Sequence, residues 1–394
     1  MTVLIAGAGP TGLTAACGLL QRGVDVRIVD EADGPATTSR AIGVWSPTLG
    51  VLQRLGALGD LPDRILPVRR AVYRAGGKVH ELDGLDELLP DGQPPIAMVS
   101  QVELEHRLRE RLSQLGGAVE WSTAVTGGAA DTDGVAVQLN SSHSYEADWL
   151  IGCDGAHSQV RKIAGIPFSG SAVAERLLLA DLHLDLPADR EAVHVWLSRT
   201  ATVAMFPLPG ANDDLWRLVT EVPHDAEPPD IAEHFRHFLH TQAGDDVRLT
   251  GIDWTSRFVI NQRVARTYRS GRILLAGDAA HVHSPLGGQG MNMGIADAEN
   301  LAAKLALVAT GQAPESLVDS YERERRPPAR RVVAATGLAT RVAFSRNPIV
   351  TWTRDNIAIP TGFTVARRRF VRRWAVQAVI RTQTALRSAP SPMS

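Results

Sequence analysis

Only two cysteines, Cys17 and Cys153, occur in the whole chain, both in apolar surroundings and without CxxC spacing. That excludes a cysteine-built zinc site and points to a reducing compartment without structural disulfides. No stretch approaches the roughly 20 apolar residues needed to cross a bilayer. The opening run "MTVLIAGAG" has no basic region before it and breaks at glycine, so it reads as a buried strand and not a signal peptide. A cytoplasmic location, with no stable membrane insertion, is the expectation. A net charge of −2 offers no global attraction for nucleic acid. Acid is missing from one place in particular: none occurs from Asn356 to the end, where Arg367, Arg368, Arg369, Arg372, Arg373, Arg381 and Arg387 accumulate. A basic helix of this kind can lie on a membrane or on RNA, or simply pack on the body with its arginines solvated or paired.

A length of 394 residues with 44% hydrophobic and 21% charged residues fits a soluble enzyme of two domains, or one large domain with a satellite. "TVLIAGAGPTGLTAACGLLQRGVDVRIVDEA" reads as strand, glycine turn, helix, strand, its first run continuously apolar as in a parallel strand buried on both faces. "VRRAVYRAGGKVHEL" reads as a hairpin turning at Gly76 and Gly77. "SQVELEHRLRERLSQLG" carries a serine cap at Ser100 and leucines at helical spacing. From about Phe168 to Asn261 the texture changes to alternating strands, "LLLADLHLDL", "AVHVWLSR", "TVAMFPLPG" and "LWRLVTEV", expected to form an antiparallel sheet inserted between two parallel segments. The helix "DIAEHFRHFLHTQ" is expected to pack on that sheet.

Three motifs carry chemistry. "GAGPTG" places Gly7, Gly9, Pro10, Thr11 and Gly12 between a strand and a helix: Gly7 for the tight turn, Gly9 for backbone approach to a pyrophosphate, Gly12 for close helix packing. The second strand ends at Asp30, the expected distance for a carboxylate on ribose hydroxyls, and Glu31 follows. Two carboxylates there favour a free 2′-hydroxyl, hence FAD or NAD, and disfavour NADP in that pocket. In "CDGAHSQVRK", Asp154 and Gly155 end a strand, with Arg161 placed to pair with Asp154 or a phosphate; an ordinary Asp-Gly turn is the alternative.

"GDAAHVHSPLGGQGMN" is the third. His281 and His283 have strand spacing, but no carboxylate or cysteine accompanies them at ligand spacing, so no metal is expected and both histidines read as structural. Asp278 at the strand end suits a polyol hydroxyl. The backbone from Gly287 to Asn292, opening a helix, suits the negative charge that develops on a reduced flavin.

Together these motifs resemble the FAD-dependent aromatic hydroxylases, the p-hydroxybenzoate hydroxylase-like single-component flavoprotein monooxygenases, and in texture the polyketide hydroxylases of antibiotic biosynthesis. The resemblance covers about residues 1–345. It implies an α/β fold: a Rossmann-like FAD-binding domain from 1–72, 99–167 and 262–345, an inserted antiparallel β-sheet substrate domain from 73–98 and 168–261, and a C-terminal helical, arginine-rich tail from 346–394. It further implies that Asp30 binds the adenosine ribose, Arg40 the pyrophosphate region, Gln101 the flavin side and the Val125 backbone the adenine. Asp154 and Gly155 match a motif associated with FAD and NADPH, Asp278 would bind ribitol, and the segment Gly288, Gln289, Gly290, Met291 and Asn292 would meet the isoalloxazine. Pro285 and Leu286 would border the substrate, with Trp196, Met205 and Phe206 as pocket candidates whose core role is an equal alternative.

The activity so implied is a monooxygenase taking electrons from NADPH or NADH, bound transiently, and one oxygen atom from O2 through a flavin C4a-hydroperoxide, with a small aromatic or polycyclic substrate and a monomeric or homodimeric chain. Many polyketide hydroxylases carry a C-terminal thioredoxin-like domain, for which this chain stops too early, and the "WxWxIP" motif of flavin halogenases is missing. No catalytic acid or base is assigned; His183, His194 and Tyr73 read first as structural. A reductase or desaturase of the same fold, and a non-catalytic flavin-binding protein, are the rival readings.

Overall fold

The structure is a computed structural model that describes residues 1–38, 41–89, 94–140, 143–186, 188–198, 202–222, 230–243, 247–285 and 287–384. At its centre lies Thr2–Ala6 (β1), whose Val3, Leu4 and Ile5 are fully buried because both faces are covered. It pairs in parallel with Asp25–Val29 (β2) on one side and Trp149–Gly152 (β3) on the other. Ile273–Leu275 extends the parallel ladder beside β3, Val119–Glu120 extends it beside β2, and Arg269–Ser270 closes one edge antiparallel. Pro10–Leu20 (α1) follows β1 directly. Ser46–Leu55 (α2) and Gln101–Gln114 (α3) come next, and the Ser100 hydroxyl caps α3 by accepting from Val102 N–H, as its sequence indicates.

The second sheet is antiparallel apart from one pair. It contains Phe168–Asp185 (β4), Ala192–Leu197 (β5), Thr202–Pro207 (β6), Leu215–Val222 (β7) and Arg248–Ala265 (β8). The hairpin Arg70–Ala75 and Lys78–Leu82, turning at Gly76 and Gly77, adds the far edge, where Arg70–Ala75 runs parallel to β5. β8 continues past Asn261 to Ala265, so that Arg263 pairs with Val282 and the sheet reaches the loop after the first domain's last strand.

Alternation sorts the residues of this sheet between its two faces. Leu178, Ala180, Leu182 and Leu184 of β4 bury against Phe235 and Phe238 of Ile231–Phe238 (α4), which is capped by the Asp230 carboxylate on Glu233 N–H. Asp181 and His183 therefore point the other way, toward the first domain.

Gly290–Ala309 (α5) is almost wholly buried and lies along α1. Asp319–Ala343 (α6), Ile359–Ala366 (α7) and Arg369–Gln383 (α8) complete the chain. α8 packs against α2, α5 and α6 with one face, in accordance with the ordinary reading of the basic tail. Among the described residues no helix is long and apolar enough to cross a membrane.

Candidate cofactor and substrate site

The β1 to α1 turn is shaped by how closely backbone meets backbone. Gly7 has φ +101°, and a Cβ there would lie 2.3 Å from the Cys153 carbonyl oxygen; a Cβ on Gly12 would lie 1.9 Å from the Gly7 oxygen. A side chain is sterically excluded at both positions. Gly9 differs: nothing lies within 4 Å of where its Cβ would be. It caps α1 without a side-chain hydrogen bond, Pro10 occupies the first turn, and that turn has no acidic residue. An uncapped helix end behind an open face is a seat for an anion.

Asp30 leaves β2 facing this turn. Its Oδ2 accepts Ala8 N–H at 2.6 Å and its Oδ1 accepts Ala32 N–H at 2.9 Å. Each carboxylate oxygen has a second lone pair, so the group holds the turn and keeps capacity for ribose hydroxyls. Glu31 beside it is exposed, and Val125 begins the small antiparallel sheet directly after Thr123 N–H bonds the Asp30 carbonyl. Gln101 heads α3, donating its amide to Glu105 Oε1 at 2.8 Å. Arg40 and Leu286 lie outside the described residues.

Asp154 and Gly155 form a second open turn. Asp154 Oδ2 accepts the amides of Gln159 and Val160, whereas its buried Oδ1 has no partner among the described residues; Gly155, at φ +78°, fronts open space. Arg161 is not hydrogen-bonded to Asp154 among the described residues. Its guanidinium donates to the carbonyls of Ala279 and Ala156, both at 2.9 Å, and covers the Phe168 ring. It thereby ties the Asp154 turn to the Asp278 turn.

Asp278 sits exposed on the single turn Gly277–Ala279. Thr11 of α1 wedges into that turn: Cβ atoms at Gly277 and Gly294 would come within 2.5 and 2.3 Å of the Thr11 hydroxyl oxygen. The N-termini of α1 and α5 are thus locked side by side. Gln289 caps α5 without a side-chain bond, no acid stands in its first turn, and Gly288 and Gly290, both half-buried, add no side chain there. Met291 packs on the core.

Asn292 is fully buried, and its side chain faces protein: Oδ1 accepts from Trp45 N–H and the Thr48 hydroxyl, and Nδ2 donates to Gly43 O and Gly288 O. Trp45 Nε1 also donates to Gly287 O. Asn292 therefore holds the glycine loop in place, leaving its backbone as the surface a ligand meets.

The two histidines resolve differently. His281 Nε2 bonds Asp297 Oδ2 at 2.6 Å, Arg325 Nε donates to Asp297 Oδ1 at 2.6 Å, and Gly277 N–H reaches the same carboxylate. Burial alone would raise the Asp297 pKa, but the charges of His281 and Arg325 outweigh it and hold the group below its ordinary value. His283 Nδ1 donates to Ser284 O, and burial pushes its pKa down to about 4, so the ring is neutral beside Gly290.

A cavity of about 730 Å³ lies between the head of α3 and the sheet, lined on one side by Thr37, Thr38, Ile42, Val99, Ser100, Val102 and Glu103 and on the other by Leu208 to Gly210, Leu215, Asp181, Arg217 and Trp254; Gln101 is not among its lining residues. Arg217 is buried and pairs with Asp181 through two bonds of 2.6 Å. Phe206 joins Ile42, Met98 and Leu208 beside the cavity. Trp196 and Met205 go to the opposite face, in the core under α4, with Trp196 Nε1 donating to Gln242 O. Met205 and Phe206 are adjacent in a strand and cannot both face one pocket. Pro285 is exposed and outside the cavity lining. His183 bridges Asp214 and Asp253, with bonds of 2.9 and 3.0 Å that raise its pKa; His194 is buried on the Asp189 carbonyl; Tyr73 packs against Phe363.

Comparison with known proteins matches residues 1–336 to the model of the FAD binding domain. The chain belongs to the FAD-dependent aromatic hydroxylase family. It is 39% identical over 366 residues to a 6-methylpretetramide 4-monooxygenase of Streptomyces rimosus, covering 91% of this chain and 64% of that relative's length. Among solved structures of the family, p-nitrophenol 4-monooxygenase from Pseudomonas putida superposes with a TM-score of 0.85 at 25% identity, over 97% of this chain and 98% of that one. Aklavinone-11 hydroxylase, solved with FAD and aklavinone, gives 0.76 at 27% identity, over 89% and 70%. The chain is therefore a flavoprotein of this family, and its open glycine turns, the partnerless Asp154 Oδ1 and the two exposed-side carboxylates fit FAD.

Proposed function

We infer that this chain is an NAD(P)H- and O2-dependent FAD monooxygenase that inserts one oxygen atom into an aromatic or polycyclic, polyketide-like substrate. One observation carries the reading: Thr11 locks two uncapped helix N-termini together, with Asp30 and Asp278 flanking them, and Gly43, held by Asn292 of the second helix, adjoins Ile42 in the lining of a cavity large enough for a polycycle. FAD, when bound, would take two electrons from a transiently docked nicotinamide and pass them to O2. Asp30 would hold the ribose, the α1 N-terminus with Gly9 the pyrophosphate, and Asp278 the ribityl chain. Donors from Gly290 to Asn292 would stabilise negative charge on the reduced ring. The Asp181–Arg217 pair and Phe206 would line the substrate side and exclude water.

The test is purification with stoichiometric yellow FAD, followed by NAD(P)H oxidation against a panel of polycyclic phenols under ¹⁸O₂. One labelled oxygen per product supports the reading. An unlabelled product would favour a reductase or desaturase, and no stimulated NAD(P)H oxidation across the panel would favour a flavin-binding role.

A further inference from the structure

The large apolar side chains that the described surface exposes are unevenly placed. Ile349, Trp352, Ile357, Val365, Phe370 and Trp374 cluster in the C-terminal helices, with Phe370 and Trp374 at 69% and 71% exposure. In α8, Phe370, Arg373, Trp374 and Arg381 recur at spacings of three, four and eleven, which puts them on one face. The other face is spoken for: Arg325 donates to the Thr382 and Thr384 carbonyls, Gln383 is buried, and Arg369 and Arg372 donate to the carbonyls of Glu87 and Asp83. α8 is therefore anchored on the body and presents an aromatic and basic stripe outward.

We propose that this stripe docks the protein peripherally on an anionic lipid bilayer. Tryptophan and phenylalanine settle at the headgroup boundary while arginines keep their charge at the phosphates, and stable attachment needs both signals together. Both are present on the stripe: exposed Phe370 and Trp374, and exposed Arg373 and Arg381, in a segment that holds seven arginines and no acid from Asn356 onward, in a chain whose overall charge is −2. The rest of the chain is thus net negative. A long polyanion such as RNA would run past the stripe onto repelling surface, whereas a bilayer touches only the outermost face. A second copy related by a two-fold axis would set arginine face against arginine face.

The experiment is co-sedimentation of the full FAD-loaded chain with vesicles of phosphatidylcholine alone and of phosphatidylcholine with phosphatidylglycerol, at low and high salt. The proposal expects binding to the anionic vesicles only, weakened by salt, and quenching of tryptophan fluorescence by brominated acyl chains that is lost in Trp374→Phe. Arg373→Glu with Arg381→Glu should abolish binding, and Phe370→Ser with Trp374→Ser should weaken it at least tenfold. All four positions are exposed, so thermal midpoint and flavin content should stay unchanged and identify folded variants. Absent vesicle binding, or binding indifferent to these changes, overturns it. So does tighter binding to RNA homopolymers than to vesicles, or a dimer in sedimentation velocity that the same substitutions dissociate.

Discussion

The two glycine turns of the proposed cofactor site are built in opposite ways. At Gly7–Gly12 the backbone itself sets the shape: Gly7 and Gly12 have no room for a Cβ, and the supporting contacts come from the adjoining strands and helix. At Gly287–Asn292 glycine supplies access, but the shape comes from a buried side chain, Asn292, gripping Gly43, Trp45 and Thr48 nearly 250 positions away in the chain. A turn packed backbone against backbone needs glycine wherever another strand's end, here Cys153, closes on it. A loop held by remote partners needs the whole fold before it becomes a binding surface.

Substitutions can break that contrast, beginning where the effect is greatest. Gly12→Val should be excluded from a folded turn, lowering stability by more than about 3 kcal/mol in thermal unfolding. Gly9→Ala should leave the apoprotein's melting point nearly unchanged while weakening FAD binding. Equal destabilisation by both would refute the separation of steric from ligand-facing glycines. Beside the Gly277–Ala279 turn, Arg325→Ala leaves the Asp297 carboxylate buried with half its pairing gone and should cost about 3–5 kcal/mol. Asn292→Ala should cost about 2 kcal/mol from lost buried hydrogen bonds and raise the FAD dissociation constant. A melting point shifted without a change in FAD affinity would remove Asn292 from the loop-holding role.

Smaller effects sharpen the same point. Asp278→Ala should leave the fold intact and weaken FAD about tenfold, roughly 1.4 kcal/mol, by fluorescence titration; full flavin occupancy at low FAD concentration would contradict the assignment. His283 is the smallest. Its folded pKa of about 4 lies below the ordinary histidine value, so the unfolded chain binds more protons between pH 6.5 and 4 and stability falls as pH falls through that window. About 1 kcal/mol should be lost between pH 7 and 5.5. His283→Asn, which keeps a donor for Ser284 O, should flatten that part of the acid limb.

Much of the first domain was legible. Continuous apolar strands, GxGxxG spacing, Asp30 and the Ser100 cap all act over short distances, where one residue constrains its neighbours. The sheet domain was legible only as far as its strands. Adjacent residues such as Met205 and Phe206 take opposite faces, but nothing local says which faces the cavity, and the placement of α4 settles it. Asp181 and Arg217 were missed for the same reason, although a charged residue inside "LLLADLHLDL" and another in "LWRLVTEV" is the signal that would have found them. The acceptors of Arg161, the carbonyls of Ala156 and Ala279, could not be foreseen because backbone carbonyls carry no mark in the sequence.

The sequence by itself determined the strand, glycine turn and helix at Gly7–Gly12, the carboxylate at the end of β2 and the alternation of the inserted strands, because sterics and periodicity operate largely within a few residues. Only the tertiary structure decided which helix ends stand together, which sheet face meets the cavity, and that α8 hides one side while showing arginine and tryptophan on the other. Those outcomes depend on contacts between segments far apart in the chain, and burial is a property of the assembled packing.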